Sequence, residues 1–198
     1  MKVTCLCELA GNEEHQRTMK LLAISGSLRG KSSNTALLRA GARVAPPGVI
    51  VNLCRSLNHL PHFNPDLDRD PGPGAVVTFR AQVRAADALL ICSPEYAHGV
   101  PGTLKNALDW LVGSGEVVNK PVALIQTSAR ARYVYDSLNE TLKVMMAVII
   151  PEASITLALA NSRLNDEEIA ADPVIASQLR ASIEAMTEYV TARQRHSS

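Results

Sequence analysis

The chain has no long apolar run, almost no net charge and no paired cysteine motif, and each shortage removes a class of function. Its longest uninterrupted apolar stretch, Val144 to Ile150, falls far short of the about 20 residues that a membrane-spanning helix needs. Lysine and arginine number 20 against 19 acidic residues, leaving a net charge of +1. Such a chain has no field to draw nucleic acid or an anionic membrane. The stretch Met1 to Lys20 carries Glu8, Glu13 and Glu14 before any sustained apolar run, so it does not read as a secretory signal, and a cytoplasmic location is expected. The 4 cysteines are scattered, with Cys5 and Cys7 in a polar leader and Cys54 and Cys92 at the ends of apolar runs. No C-x-x-C pair or accompanying histidine spacing is present, so neither a zinc site nor a disulfide framework is expected. Cys54 and Cys92 read as small apolar fillers. Internal repeats and low-complexity tracts are missing too.

What is present is a strict alternation. Five short apolar runs, Leu21 to Ile24, Val49 to Leu53, Ala88 to Cys92, Val122 to Gln126 and one around Ile155 to Leu159, read as buried parallel strands. Between and after them lie helical patterns over Asn34 to Ala45, Ala75 to Ala86, Thr103 to Val112, Val134 to Ala147 and Asp166 to Thr191. The length of 198 residues and apolar share of 46% suit one domain with a full core. Strand–helix alternation implies a parallel sheet with helices on both faces, and right-handed crossovers narrow the topologies. The expected fold is an α/β flavodoxin-like five-stranded sheet of order 2-1-3-4-5. The domain is expected to run over 19–198, with 1–18 an extension it does not need. The proline-rich stretch Pro61 to Gly74 is long enough to suggest a functional loop.

Two loops carry the chemistry, and both follow neighbouring strands. The first is Ser25-Gly26-Ser27-Leu28-Arg29-Gly30-Lys31-Ser32-Ser33-Asn34. A strand, a glycine turn and a helix N-terminus together make an anion site, because free backbone N–H groups and the helix dipole converge there. Ser27, Ser32 and Asn34 add side-chain donors, and the Arg29 fork suits a phosphate. Helix capping alone accounts for one of these residues, not for the set. The P-loop pattern is only half met: Gly30-Lys31-Ser32 matches its end, but Ser25 stands where its first glycine belongs and no later strand ends in an aspartate for magnesium. The dinucleotide fingerprint G-x-G-x-x-G is missing. The second loop, Pro94-Glu95-Tyr96-Ala97-His98-Gly99-Val100-Pro101-Gly102, offers a rigid turn, a carboxylate and an aromatic ring beside the same crevice.

The two loops, with Pro101-Gly102-Thr103-Leu104-Lys105-Asn106-Ala107-Leu108-Asp109-Trp110 after the second, resemble the NADPH-dependent FMN reductase family over roughly Lys20 to Leu159. The resemblance implies an FMN phosphate loop built by Ser27, Arg29, Ser32 and Asn34. It implies that Pro94, Glu95 and Tyr96 lie against the isoalloxazine, largely through backbone groups, with Thr127 and Ser128 completing the cofactor set. The Lys105–Trp110 helix matches one the family uses in its dimer contact, so a homodimer or homotetramer is expected; ordinary core packing explains Leu108 and Trp110 as well. This chain departs from the family at Ala97 and Gly99, where asparagine and serine are common. It departs again at Thr127-Ser128-Ala129-Arg130-Ala131-Arg132-Tyr133, which lacks the usual glycines. There Arg130 and Arg132 either meet a phosphate of NADPH or stand in solvent.

The implied activity is hydride transfer from NADPH or NADH to FMN and then to a small acceptor (quinone, free flavin, chromate or azo compound) in a ping-pong cycle. The flavin carries the reaction, so neither a catalytic side chain nor a metal is expected. The alternatives are a non-catalytic FMN electron carrier, against which the +1 charge argues, a degenerate P-loop protein, and a binding protein that has lost its nicotinamide site.

Overall fold

In the computed structural model, which describes residues 17–157, 159 and 164–196, alternation along each strand sorts side chains onto two buried faces. In β1 (Met19–Ser25), Met19, Leu21 and Ala23 join one cluster and Leu22 and Ile24 the other. In β3 (Ala88–Cys92) and β4 (Pro121–Gln126), Ala88, Leu90, Cys92, Ala123 and Ile125 lie on the first face. Leu89, Ile91, Val122 and Leu124 lie on the second. Burial on both faces is why these strands read as continuous apolar runs. β2 (Val49–Leu53) lies at one edge, and none of its residues is fully buried.

All pairings are parallel, in the expected order β2-β1-β3-β4-β5, where β5 is Val148–Ile149. The first face is covered by α1 (Ser33–Val44), α5 (Asp166–Ala171) and α6 (Pro173–His196). The second is covered by α2 (Gly74–Ala85), α3 (Gly102–Val112) and α4 (Arg132–Val144). Register matters most for function. Ser25 pairs with Cys92 and Cys92 with Ile125, so the loops after β1, β3 and β4 leave the sheet side by side.

Two expectations change. The fifth strand is two short pieces on β4: β5, and β6 (Ile155–Thr156), separated by a tight turn at Pro151–Ala153. Proline has no N–H for the ladder, which confines such a break to a sheet edge. The last helix is also split. Asp172 sits at φ −72°, ψ 115° before Pro173, and its carboxylate accepts from the amides of Val174 and Ile175 at 2.9 and 3.0 Å. A residue before proline avoids the helical region, so α5 ends there and α6 starts afresh.

Of the two readings open for Trp110, core packing holds. Its ring is fully buried, and its indole N–H donates to the Pro61 carbonyl at 2.9 Å. Asn106 donates to the same carbonyl at 2.9 Å and accepts from the Phe63 amide at 2.7 Å. Arg80 donates to the Trp110 carbonyl and, at 2.7 Å, to Asp68. The loop over Pro61 to Gly74 is therefore strapped to α3. The outer face of α3 carries the Lys105–Asp109 ion pair, at 2.5 Å, and exposed Val112. Cys54 and Cys92 are buried and unpaired, while Cys5 and Cys7 lie outside the described residues. No helix among the described residues is long and apolar enough to cross a membrane.

Candidate functional site

The first loop begins with a close approach. The Gly26 amide donates to the Cys92 carbonyl at 2.9 Å, drawing the loop onto the end of β3. A Cβ at position 26 would stand 2.4 Å from Ser93 Oγ and 2.9 Å from Ser93 Cβ. Only glycine fits. Beyond it, hydroxyls organise the backbone. Ser25 Oγ lies 2.8 Å from Thr35 Oγ1 and accepts from the Ser27 amide at 3.3 Å. Ser27 Oγ accepts from the Arg29 amide at 3.3 Å, and Ser32 Oγ caps α1 by accepting from the Thr35 amide at 3.4 Å. Asn34 Oδ1 accepts from the Cys92 thiol at 3.1 Å and from the Thr127 hydroxyl at 3.3 Å, joining the loops after β1 and β4 to the end of β3. Burial pushes the Cys92 thiol pKa far up, so it stays a protonated donor.

What is left over has one polarity. The Ser27 hydroxyl, the Ser32 hydroxyl and the Asn34 amide have no acceptor among the described residues, although these residues are only 8%, 6% and 7% exposed. Buried donors are almost always paired, and leaving one unpaired costs about 1–3 kcal/mol. Three donors at the N-terminus of a helix call for a ligand rich in acceptors, and an oxyanion such as a phosphate meets that need. Arg29 and Lys31 are exposed at the rim, and Arg29 has no side-chain partner among the described residues.

The second loop is braced from outside. Glu95 Oε2 accepts from the Val134 amide at 3.0 Å, so its carboxylate caps α4, leaving the Glu95 backbone as the group available to a ligand. Ala97 and His98 form a two-residue turn closed by the Tyr96 amide to the Gly99 carbonyl at 3.1 Å and the Gly99 amide to the Tyr96 carbonyl at 2.9 Å. Both central residues are left-handed, at φ 48° and 57°. Such turns favour asparagine and glycine. The glycine here stands one place later, at Gly99. Pro94 is half-buried and Tyr96 exposed. In the loop after β4, Ser128 Oγ accepts from the Arg130 amide at 3.1 Å, and Arg132 pairs with Asp136 at 3.4 Å in solvent. Among the described residues no group of histidines, cysteines and carboxylates is placed to hold a metal.

A family model described as NADPH-dependent FMN reductase matches residues 19–162, well over half of the chain. The chain belongs to this family. An NAD(P)H-dependent FMN reductase of Pseudomonas aeruginosa is 42% identical over 113 residues, which cover 56% of this chain and 60% of that protein. A quinone reductase of Escherichia coli is 38% identical over 114 residues, covering 56% of this chain and 60% of that one. The chain thus spans about three fifths of the length of these curated relatives. Among solved structures, the Paracoccus denitrificans flavoenzyme FerB, an NAD(P)H:acceptor oxidoreductase, superposes with a TM-score of 0.73. It is 28% identical, with 88% of this chain and 98% of that one covered.

The two loops thus meet at the carboxyl ends of neighbouring strands, and Ser27, Ser32, Asn34 and Thr127 gather there. Sequence reasoning missed the parts that hold it: Ser25, Thr35, Cys92 and Ser93. Each is a small residue at a strand or helix end, and only the strand register brings them together. It also missed the contact between His98 and Tyr133.

Proposed function

We propose that the chain is an FMN-dependent NAD(P)H oxidoreductase that reduces a small acceptor such as a quinone. The observation that carries this reading is the set of buried donors leading into α1 that have no acceptor among the described residues. Its donor set suits a phosphate monoester, so the residues present fit FMN. The overall reaction balances as NAD(P)H + H⁺ + quinone → NAD(P)⁺ + hydroquinone. Bound flavin would supply the two-electron hydride chemistry that a ping-pong exchange between the two substrates needs.

The protein's part is to bind and orient. Ser27, Ser32 and Asn34 donate to the phosphate, and Arg29 closes on it from the rim. Pro94, Glu95 and Tyr96 offer backbone groups to the ring system, in a segment held still by the Glu95–Val134 cap. Thr127 fixes Asn34, and Ser128 holds the turn that follows. The relatives' names support this reading at the level of reaction class. A reductase drawing on NAD(P)H belongs in the cytoplasm. Residues from Met19 onward form the working domain, and the chain works as a homo-oligomer. Its contact falls beside α3, where Val112, Val144 and Met146 are 63%, 74% and 61% exposed.

The test is titration of FMN and riboflavin against the unmodified protein, Arg29→Ala and Lys31→Ala. A charge-assisted bond to phosphate contributes about 1.5–3 kcal/mol, so Arg29→Ala should weaken FMN binding about ten- to a hundredfold. Riboflavin has no phosphate, and its binding should hardly change. Equal losses for both flavins, or no loss for either, would refute the phosphate assignment.

A further inference from the structure

The loop after β4 leads into Tyr133, whose ring is stacked on His98. The centroids lie 4.1 Å apart and the planes are 23° from parallel. Neither ring is buried: Tyr133 is 50% exposed, His98 is exposed, and Tyr96 in the same loop is 52% exposed. The stack is held by two fixed pieces of backbone. His98 is the second central residue of the left-handed turn, at φ 57°, and Tyr133 sits in the first turn of α4, which Glu95 caps at Val134. A turn strained at two non-glycine positions persists only when its surroundings hold it, and such strain gathers at functional sites. His98 stands on the loop after β3 and Tyr133 in the helix turn that follows the β4 loop, so the stacked pair lies at the carboxyl end of the sheet, the end where ligands of open α/β sheets bind.

We propose that the His98–Tyr133 pair is a specificity element, an aromatic wall at the mouth of the site that favours flat ring acceptors over compact anions. This rests on the function proposed above. A flat ring gains by stacking on an aromatic face, and a small anion does not. Removing the wall should therefore change which acceptor is preferred more than whether the cofactor binds.

The experiment uses the FMN-loaded protein, Tyr133→Ala, His98→Ala and Tyr133→Phe. Two readouts are taken: kcat/KM for 1,4-naphthoquinone divided by kcat/KM for ferricyanide, and equilibrium dialysis of 7-hydroxycoumarin, a flat ring that takes no electrons. Loss of one stacked ring should lower both the ratio and coumarin affinity about three- to tenfold in the alanine variants, with the loss appearing in the quinone KM. Tyr133→Phe keeps the ring and should restore both. An unchanged ratio and unchanged coumarin binding in the alanine variants would overturn the proposal. So would equal losses for both acceptors accompanied by weaker FMN binding, which would mark the stack as a structural brace. Failure of the unmodified protein to bind FMN would instead remove the proposed function, and this proposal with it.

Discussion

Replacing Gly26 by alanine tests whether the first loop must touch the end of β3. The added methyl would sit 2.4 Å from Ser93 Oγ, 2.9 Å from Ser93 Cβ and 3.1 Å from Leu104 Cδ2. The first two distances are shorter than any ordinary carbon contact. Relief requires the loop to lift, which lengthens the 2.9 Å bond from the Gly26 amide to the Cys92 carbonyl. Overpacking of this kind costs about 1–3 kcal/mol. In a chain of 198 residues, each kcal/mol lowers Tm by about 2–4 °C. The assay is urea denaturation of Gly26→Ala, Ser93→Ala, Ser93→Gly and both double variants. Ser93→Ala removes Oγ but leaves the 2.9 Å contact, so its rescue of Gly26→Ala should be small. Ser93→Gly leaves only the 3.1 Å contact to a flexible leucine, so its coupling energy with Gly26→Ala should be larger, in the direction of rescue. FMN affinity should follow the same order, since the lifted loop carries Ser27 and Arg29. A stable Gly26→Ala protein, or losses that simply add in both double variants, would refute the close-contact account.

Three further outcomes are expected. Ala97→Gly should raise stability by about 0.5–1 kcal/mol, because glycine adopts φ 48° without a Cβ penalty; a loss in thermal melting would contradict this. The Arg43 hydrogen bond holds the Asp166 carboxyl below its ordinary value of 3.8, so the folded pKa lies under the unfolded one. Its stabilisation is present above that value and fades as pH falls through the lowered one. Arg43→Gln should flatten stability against pH below about 4 in acid titration, by a small amount, since the pair is open to water. A chain beginning at Met19 should keep its Tm within about 1–3 °C and its FMN affinity. Of residues 17 and 18 it loses the Arg17–Asp87 pair at 2.6 Å, whose arginine is 70% exposed. A larger drop would mean that more of the leader packs on the domain.

Strand–helix order, sheet topology and the place of the two loops at the ends of neighbouring strands were legible in the sequence, because buried parallel strands and their punctuation leave local marks. Leu21 to Ile24 and Ala88 to Cys92 are apolar through and through since both their faces are covered. Pro101 marks a helix start through its own backbone limits, whereas Gly26 is required by Ser93, against which a Cβ would stand 2.4 Å from Oγ. Tertiary structure decided what those residues touch. Glu95 reads as a cofactor contact along the chain, yet its carboxylate caps a helix 39 residues away. Trp110 reads equally as surface or core until Pro61 is found at its indole nitrogen. Asn34 reads as a phosphate donor, but its oxygen is already committed to Cys92 and Thr127, which leaves only its amide for the ligand. The reason is physical. Periodicity and turn chemistry act over a few residues, whereas a hydrogen-bond partner is set by strand register, and register exists only once the sheet has formed.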